Sequence, residues 1–135
     1  MSAKNIKDMF TGDIMKNIFP EDRTDQFFDA LFGDASEGAY NIVLEFRRYS
    51  QNSLEFEFHL KRRPGKCLAC NLTYGLPDVF SRHPVINIKG IVREIDKLVN
   101  GQAKCADWHL GATQEVSGEI HVIPLTVRLK VKGKR

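Results

Sequence analysis

Hydrophobic and polar residues alternate in the middle of the chain, which is the pattern of half-buried β-strands. In the run 54–60, large apolar side chains occupy every second position, and Glu, His and Lys fill the positions between them. The run 40–47 has the same period, and the polar residues Tyr49–Ser53 that follow it predict a hairpin. One face of this hairpin should therefore be buried and the other charged.

The last third of the chain predicts two more strands, at 104–110 and 123–131. In the first, Cys105, Asp107 and His109 alternate with more apolar neighbours and should share one face. The second contains Pro124, which lacks an N–H, so we expect this strand to be a sheet edge near its start. A polar loop, 111–118, joins the two strands.

Helical periodicity appears at the N-terminus and again after residue 87. Residues 2–19 predict one broken helix or two short ones, interrupted at Gly12. A second helix, capped by Asp22 or Thr24, should end at Gly33. The third, 88–99, has apolar residues at i, i+3, i+4, i+7, i+10 and i+11, and Asn87 is placed to cap it.

This order of elements predicts an α+β two-layer sandwich, with a mainly antiparallel sheet of four to five strands and helices packed on one face. We expect a single domain over 1–135. Its parts are N-terminal helices at 1–33, a hairpin at 40–61, an irregular loop at 63–84, a helix at 88–99 and two strands at 103–131.

The segment RPGKCLACNLTYGLPDVFSRHP, residues 63–84, follows neither period over its length. It contains two of the three cysteines and three of the five prolines. Leu68–Tyr74 is a candidate short strand, and Asp78–Ser81 a candidate single helical turn. Long irregular segments in small domains are often functional, so this segment is the first candidate for a functional site.

Composition narrows the class of protein. A chain of 135 residues with 42% hydrophobic and 27% charged residues is typical of one soluble domain. It contains no apolar run of the ~20 residues that a membrane-spanning helix needs, and its N-terminus has no secretory h-region. Three cysteines make a disulfide framework improbable, so we expect a cytoplasmic protein with reduced thiols.

Charge is distributed unevenly along the chain. Residues 1–39 carry four basic and eight acidic side chains, whereas residues 40–135 carry sixteen and nine. The simpler interpretation is that the two parts pack together and neutralise one another. Nucleic acid is the less favoured partner, because no nucleic-acid-binding motif is present and only Tyr40, Tyr49 and Tyr74 are left for base stacking. Its phosphate contacts would be Arg47, Lys61, Arg62, Arg63, Lys66, Arg128 and Lys130.

Cys67-Leu68-Ala69-Cys70 is a C-x-x-C motif, which is half of a zinc site or a redox pair. His83, Cys105, His109 and His59 are candidates for the remaining zinc ligands. Cys105 and His109 lie about 13 Å apart on a regular strand, so at most one of them would join. The redox interpretation is weaker, because the residues after Cys70 do not begin a helix. The alternative is that both cysteines are ordinary apolar filler.

Ser81-Arg82-His83 brings a hydroxyl, a guanidinium and an imidazole together in a loop bounded by prolines. With Arg63, these residues form a candidate anion-binding site or the site of a small enzyme. A solvated loop without such a role is the simpler interpretation.

Two runs, RTDQFFDALFGDASEGAYNIVLEF and RPGKCLACNLTYGLPDVFSRHPVINI, resemble segments of a small bacterial protein family with no assigned activity. Some members of that family carry a homeobox-derived name. The resemblance spans Arg23 to Val131 and implies a bacterial cytoplasmic protein, with no catalytic residues to carry over. A homeodomain would need one long basic recognition helix, whereas the basic residues here are predicted on strands and turns.

Three hypotheses follow from the sequence. The favoured one is a non-enzymatic binding or interaction module with a protein or small-ligand partner, using the Cys67–Pro84 loop and the charged sheet face. The second is a structural zinc site built on Cys67 and Cys70 with one or two of His83, Cys105, His109 or His59. The third is a small enzyme or anion-binding domain that uses Ser81, Arg82 and His83.

Overall fold

The computed structural model describes residues 6–34, 38, 40–50, 52–66, 75–100 and 102–131. Its helices are α1 Gly12–Ile18, α2 Asp22–Phe32, α3 Leu76–Arg82 and α4 Ile88–Val99, and a 3-10 turn, Ile6–Asp8, precedes them. Its strands are β1 Tyr40–Ser50, β2 Ser53–Arg62, β3 Ala103–Leu110, β4 Gln114–Glu115 and β5 Ile120–Val131.

The strands form one antiparallel sheet in the order β1-β2-β5-β3, and the short β4 also pairs with β5. The α+β class and the antiparallel sheet predicted from the sequence are confirmed. The hairpin is tighter than the predicted Tyr49–Ser53 link, because Ser50 already pairs with Ser53. Asn52 has φ +66° in this turn, a left-handed conformation that Asn tolerates better than most residues.

One face of the sheet and the inner sides of the helices form a single hydrophobic core. The four inward positions predicted for the second strand are buried, and Phe56 and Phe58 are at most 1% exposed, whereas Phe46 on β1 is only partly buried. The α4 stripe is buried at Ile88, Ile91, Ile95 and Val99, as its periodicity predicts. Phenylalanine rings meet edge to face across the two layers, for example Phe58 and Phe80 at 5.2 Å between centroids.

The N-terminal segment contains a 3-10 turn and a short helix rather than one continuous helix. Thr11 caps α1, because its hydroxyl accepts a hydrogen bond from the N–H of Ile14 at 3.3 Å. The prediction that Asp22 or Thr24 caps α2 is wrong: Glu21 occupies the cap position without a side-chain bond, and both predicted caps lie within the helix. Gly33 ends α2 in the left-handed conformation, with φ +79°.

The segment 63–84 is more regular than predicted, because α3 occupies Leu76–Arg82. Pro77 does not break this helix but lies in its first turn. An N–H in the first turn has no partner within the helix, so proline loses nothing there and its fixed φ favours helix formation. The predicted strand Leu68–Tyr74 lies outside the described residues.

Pro124 lies within a strand that is paired on both sides, so the prediction of a sheet edge at this position is wrong. β2 pairs with β5 on one side, and β3 and β4 pair with it on the other. Pairing with β4 includes Val122 and pairing with β3 begins at Leu125, so Pro124 faces the gap between them. Its carbonyl accepts a hydrogen bond from the N–H of Gly111 at 2.9 Å. Proline is tolerated here because no strand needs its missing donor.

β3 contains a bulge, because its pairing with β5 shifts between Cys105 and Asp107. An extra residue at a bulge reverses the face of every following side chain. Cys105 and Trp108 therefore both pack against the core, while Asp107 and His109 are exposed. The strict alternation predicted for 104–110 is wrong at this point, and β4 adds a short strand within the predicted loop 111–118.

Helix side chains bond to the main chain of both outermost strands. At β1, the hydroxyl of Thr24 accepts a hydrogen bond from the N–H of Ile42 at 2.9 Å and donates one to its carbonyl at 3.3 Å. At β3, the carboxylate of Asp96 accepts a hydrogen bond from the N–H of Cys105 at 2.8 Å. Satisfying outward-facing groups in this way limits pairing with other strands.

Candidate functional site

The Cys67–Cys70 pair lies outside the described residues, so the zinc site remains a prediction. Within the ranges that the structure describes, no three His, Cys, Asp or Glu side chains are grouped closely enough to hold a metal ion. Metal analysis of the purified protein, before and after replacement of both cysteines by serine, would decide whether the C-x-x-C binds zinc.

Cys105, the third candidate thiol, is placed poorly for metal binding. It is partly buried, and its Sγ lies 3.8 Å from the carbonyl oxygen of Val92. Burial, and then the nearby carboxylate of Asp96, raise the pKa of the Cys105 thiol to about 12. A zinc ligand must be a thiolate, so this environment opposes ligation. The bulge also directs Cys105 and His109 to opposite faces, which corrects the prediction that they share one.

Ser81 and His83, which were predicted to bind an anion, have hydrogen bonds within the fold. The hydroxyl of Ser81 donates to the carbonyl of Asp78 at 2.8 Å, and Nδ1 of His83 accepts from the N–H of Val85 at 3.1 Å. The ring of His83 also lies edge-on to Phe27, with 4.8 Å between centroids. These contacts give both side chains a structural role at the end of α3, while Arg82 is exposed.

Arg63, the fourth predicted anion ligand, connects β2 to α2. Its Nη2 donates to the carboxylate of Asp25 at 2.7 Å, and its Nε donates to Oδ1 of Asn41 at 3.0 Å. Its guanidinium also lies 5.4 Å from the centroid of the Phe28 ring. The positive charge of Arg63 is thus paired within the protein, and it joins the acidic N-terminal third to the basic remainder.

Other basic residues considered as phosphate contacts are also paired with carboxylates. Arg47 lies 3.6 Å from Glu57, Arg62 lies 3.4 Å from Glu119 and Arg128 lies 3.7 Å from Asp107. The expectation that Tyr40 and Tyr49 are free for base stacking is wrong. Tyr40 is buried against Phe28, and Tyr49 packs against the core. Tyr74, the third tyrosine considered, lies outside the described residues. Lys61, Lys66 and Lys130 have no ion pair with any residue that the structure describes, so it is the lack of free tyrosines for stacking that weighs against nucleic-acid binding at the described part of this face.

A polar cleft of about 500 Å³ lies between the first turn of α2 and the paired ends of β1 and β2. Its volume is in the range typical of small-molecule sites. α2 contributes one wall, and the two strands contribute the other. The lining residues are Glu21, Asp22, Thr24, Asp25, Asn41, Ile42, Val43 and Lys61.

Thr24 fixes the position of the helical wall relative to the strand wall. Its side chain is 2% exposed and holds both main-chain groups of Ile42, so α2 cannot slide along β1 without breaking two buried hydrogen bonds. The Arg63–Asp25 ion pair attaches the same turn of α2 to the end of β2. The cleft is therefore held by contacts on both of its sides.

The cleft presents charges of both signs. Asn41 and Lys61 are directly opposite each other on β1 and β2, and both are exposed. Because Oδ1 of Asn41 already accepts a hydrogen bond from Arg63, its amide NH₂ remains to donate. On the helical wall, Glu21 lies 3.9 Å from Lys16, whereas Asp22 has no ion pair with any residue that the structure describes. Carboxylate acceptors thus line one side and cationic or amide donors the other.

This cleft was not predicted from the sequence. Its residues come from three elements about 20 positions apart, and each has an ordinary local explanation: acids favour the N-terminus of a helix, and polar residues alternate along a strand. His121 was also missed, although it lies two residues before Ile123 on the inward side of β5. It is fully buried, and its Nε2 is 3.9 Å from the carboxylate of Glu115.

Comparison with known proteins adds no homologue. Protein-family models, curated proteins and solved structures were each searched, and none matches this chain. The bacterial family that the two sequence runs resemble therefore remains a prediction. In the described part of the chain, every helix is too short or too polar to cross a membrane.

Proposed function

We propose that this protein is a non-enzymatic cytoplasmic binding module, and that its ligand is a small amino-acid-like zwitterion held in the cleft between α2 and the β1–β2 ends. The observation that carries the proposal is the opposed charge of the cleft walls. The carboxylates of Asp22 and Glu21 suit an amino or guanidino group, while Lys61 and the amide of Asn41 suit a carboxylate. The cytoplasmic location rests on cysteine usage alone.

The surface chemistry favours a polar ligand over an apolar protein partner. Among the side chains that the structure describes, Val116 is the one large hydrophobic that is strongly exposed, at 64%. A single valine does not form the contiguous apolar patch that obligate interfaces use.

Isothermal titration calorimetry with arginine, agmatine and citrulline tests this proposal. Agmatine lacks the carboxylate of arginine, whereas citrulline keeps a carboxylate and an α-ammonium group and therefore remains a zwitterion. If both walls of the cleft are used, arginine and citrulline should both bind, and agmatine should lose about tenfold or more in affinity, since a charge-assisted hydrogen bond contributes about 1.5–3 kcal/mol.

Two pairs of variants locate the binding. Asp22→Asn should weaken arginine binding, whereas Asp29→Asn, which removes a charge from an exposed position elsewhere on α2, should not. Lys61→Gln should weaken it, and Lys89→Gln on α4 should not. The proposal fails if none of the three compounds binds, or if the control variants weaken binding as much as the cleft variants do.

A further inference from the structure

A second polar crevice, on the other side of the start of α2, is lined by two arginines that have no ion pair with any described carboxylate. It has a volume of about 350 Å³ and lies between the end of α1, the start of α2 and the first turns of α4. Asn17, Arg23, Asn87 and Arg93 line it with donor groups. This crevice shares no lining residue with the cleft between α2 and the β1–β2 ends, although Asp22 of the cleft and Arg23 of the crevice are adjacent in the chain.

Ion pairing with carboxylates distinguishes most described arginines from the two that line this crevice. In the described ranges, five arginines lie within ion-pair distance of a carboxylate: Arg47, Arg48, Arg62, Arg63 and Arg128. Arg23, Arg82 and Arg93 do not, as far as the described residues show. Two of these three guanidinium groups line the same crevice. Glu94 also lines it, but its carboxylate lies 3.3 Å from Nζ of Lys97.

Arg23 is held in place while part of its hydrogen-bonding capacity remains available. Its Nη1 donates to the carbonyls of Val85 and Ile86 at 3.4 and 3.3 Å, and its guanidinium lies 5.1 Å from the centroid of the Phe19 ring. Both hydrogen bonds use one nitrogen, so Nε and Nη2 can still donate. A partly buried cation that has only neutral partners gains from the arrival of an anion.

Asn87 supplies a further donor. Its Oδ1 accepts a hydrogen bond from the N–H of Gly90 at 3.2 Å, which leaves the amide NH₂ to donate. Gly90 makes this arrangement possible, because a Cβ at that position would collide with Nδ2 of Asn87. Arginine and asparagine side chains that line one small crevice supply guanidinium and amide donors, which suit the oxygen atoms of a phosphate group.

We infer that this crevice binds a phosphate group, with Arg23 and Arg93 as its principal ligands. Inorganic phosphate and the phosphoryl group of a small organic molecule present the same oxygen atoms. The structure distinguishes neither source, so the experiment compares them directly.

Titration of the full-length protein at low chloride concentration with inorganic phosphate, pyrophosphate and adenosine monophosphate tests the inference. At least one should bind saturably, and the tightest of them identifies the source. Arg93→Gln should weaken that binding about tenfold or more, because a charge-assisted hydrogen-bonding group is lost. Arg93 is exposed, so this substitution leaves the core intact.

Arg82→Gln is the matched control, because Arg82 is also exposed and lacks a described ion pair, but lies at the end of α3 outside the crevice. It should leave phosphate binding unchanged. The inference is overturned if none of the three anions binds, if Arg93→Gln has no effect, or if Arg82→Gln weakens binding equally. The last result would instead support the anion site predicted at Ser81-Arg82-His83.

Discussion

Single polar side chains fix much of this fold, and Thr24 shows how. A threonine in the first turn of a helix is unremarkable in sequence, where it was interpreted as a cap. In the structure it is buried, and its one hydroxyl serves as donor to the carbonyl and acceptor from the N–H of Ile42. This role depends on a partner 18 residues away, so local sequence patterns could not show it.

Replacing Thr24 by valine should destabilise the protein by about 2–3 kcal/mol, because two buried main-chain groups lose their partner while the side-chain shape is retained. Thr24→Ser keeps the hydroxyl and removes one methyl group, so it should cost only about 1 kcal/mol. Urea unfolding curves of the three proteins measure the difference. Equal losses in both variants would mean that packing, and not hydrogen bonding, is what Thr24 contributes.

The raised pKa of the Cys105 thiol predicts that the protein becomes less stable at alkaline pH. Its pKa is raised to about 12 in the folded state, so the folded protein holds this proton more tightly than the unfolded chain, in which a thiol has a pKa of about 8.5. The resulting stabilisation is fully present below about pH 8.5 and is lost as the pH rises towards 12.

The free energy of unfolding of the wild type should therefore fall between pH 8.5 and 10.5 more steeply than that of Cys105→Ala. Burial also raises the pKa of Tyr40, which gives both proteins a shared alkaline loss at higher pH. The difference between the two profiles isolates the thiol. Parallel profiles would show that the Cys105 proton is held no more tightly in the folded state.

At the scale of elements, hydrophobic periodicity predicted the helices and strands that depend on one buried face. It missed the features that depend on strand pairing or on position within a helix. The stripe on α4 and the alternation in β2 are imposed by a single apolar face, so both were predicted correctly. The bulge at Ala106, the tolerated Pro124 and the helix that starts around Pro77 depend on neighbouring strands or on helix position. These three features can be recognised only when the neighbouring strands, or the position of the residue within its helix, are known.

The contact between α2 and β2 predicts that two adjacent arginines differ in importance. The side chain of Arg63 is 17% exposed and bonds to Asp25, Asn41 and the carbonyl of Gly38, whereas that of Arg62 is 38% exposed and lies 3.4 Å from an exposed carboxylate. Arg63→Met should cost about 2 kcal/mol, and Arg62→Met less than about 0.5 kcal/mol. Thermal unfolding of both variants makes the comparison. Similar losses would rule out Arg63 as the main link between these elements.

At the scale of the whole molecule, the uneven charge of the sequence produces contacts within the fold. The acidic start of α2 faces the basic end of β2, and the Arg63–Asp25 pair joins them. This supports the simpler interpretation of the charge pattern. The same packing leaves one charged side chain without a described ion pair on each side of the start of α2. Asp22 lines the cleft beside β1 and β2, and Arg23 lines the crevice beside α1 and α4.

Neither proposed binding site was predicted from the sequence, because each is assembled from elements that are distant along the chain. The sequence directed attention to 63–84, where cysteines, prolines and a histidine are concentrated. In the described part of that segment, Arg63, Ser81 and His83 make structural contacts instead. Ordinary charged residues at helix starts and strand ends acquire a combined role only through tertiary packing.

The most direct test of the proposed function is a two-dimensional ¹H–¹⁵N NMR titration of the full-length protein with arginine. The largest shifts are expected at the amides of Asp22, Thr24, Asn41 and Lys61, which surround the cleft, with little change at Asn17 and Asn87 in the phosphate crevice. The same titration of Asp22→Asn should require about tenfold more arginine. The assignment of the cleft as the ligand site would be contradicted if the shifts were confined to the crevice or to the exposed residues Arg128 and Lys130 of β5. It would also be contradicted if no shifts appeared at high arginine concentration.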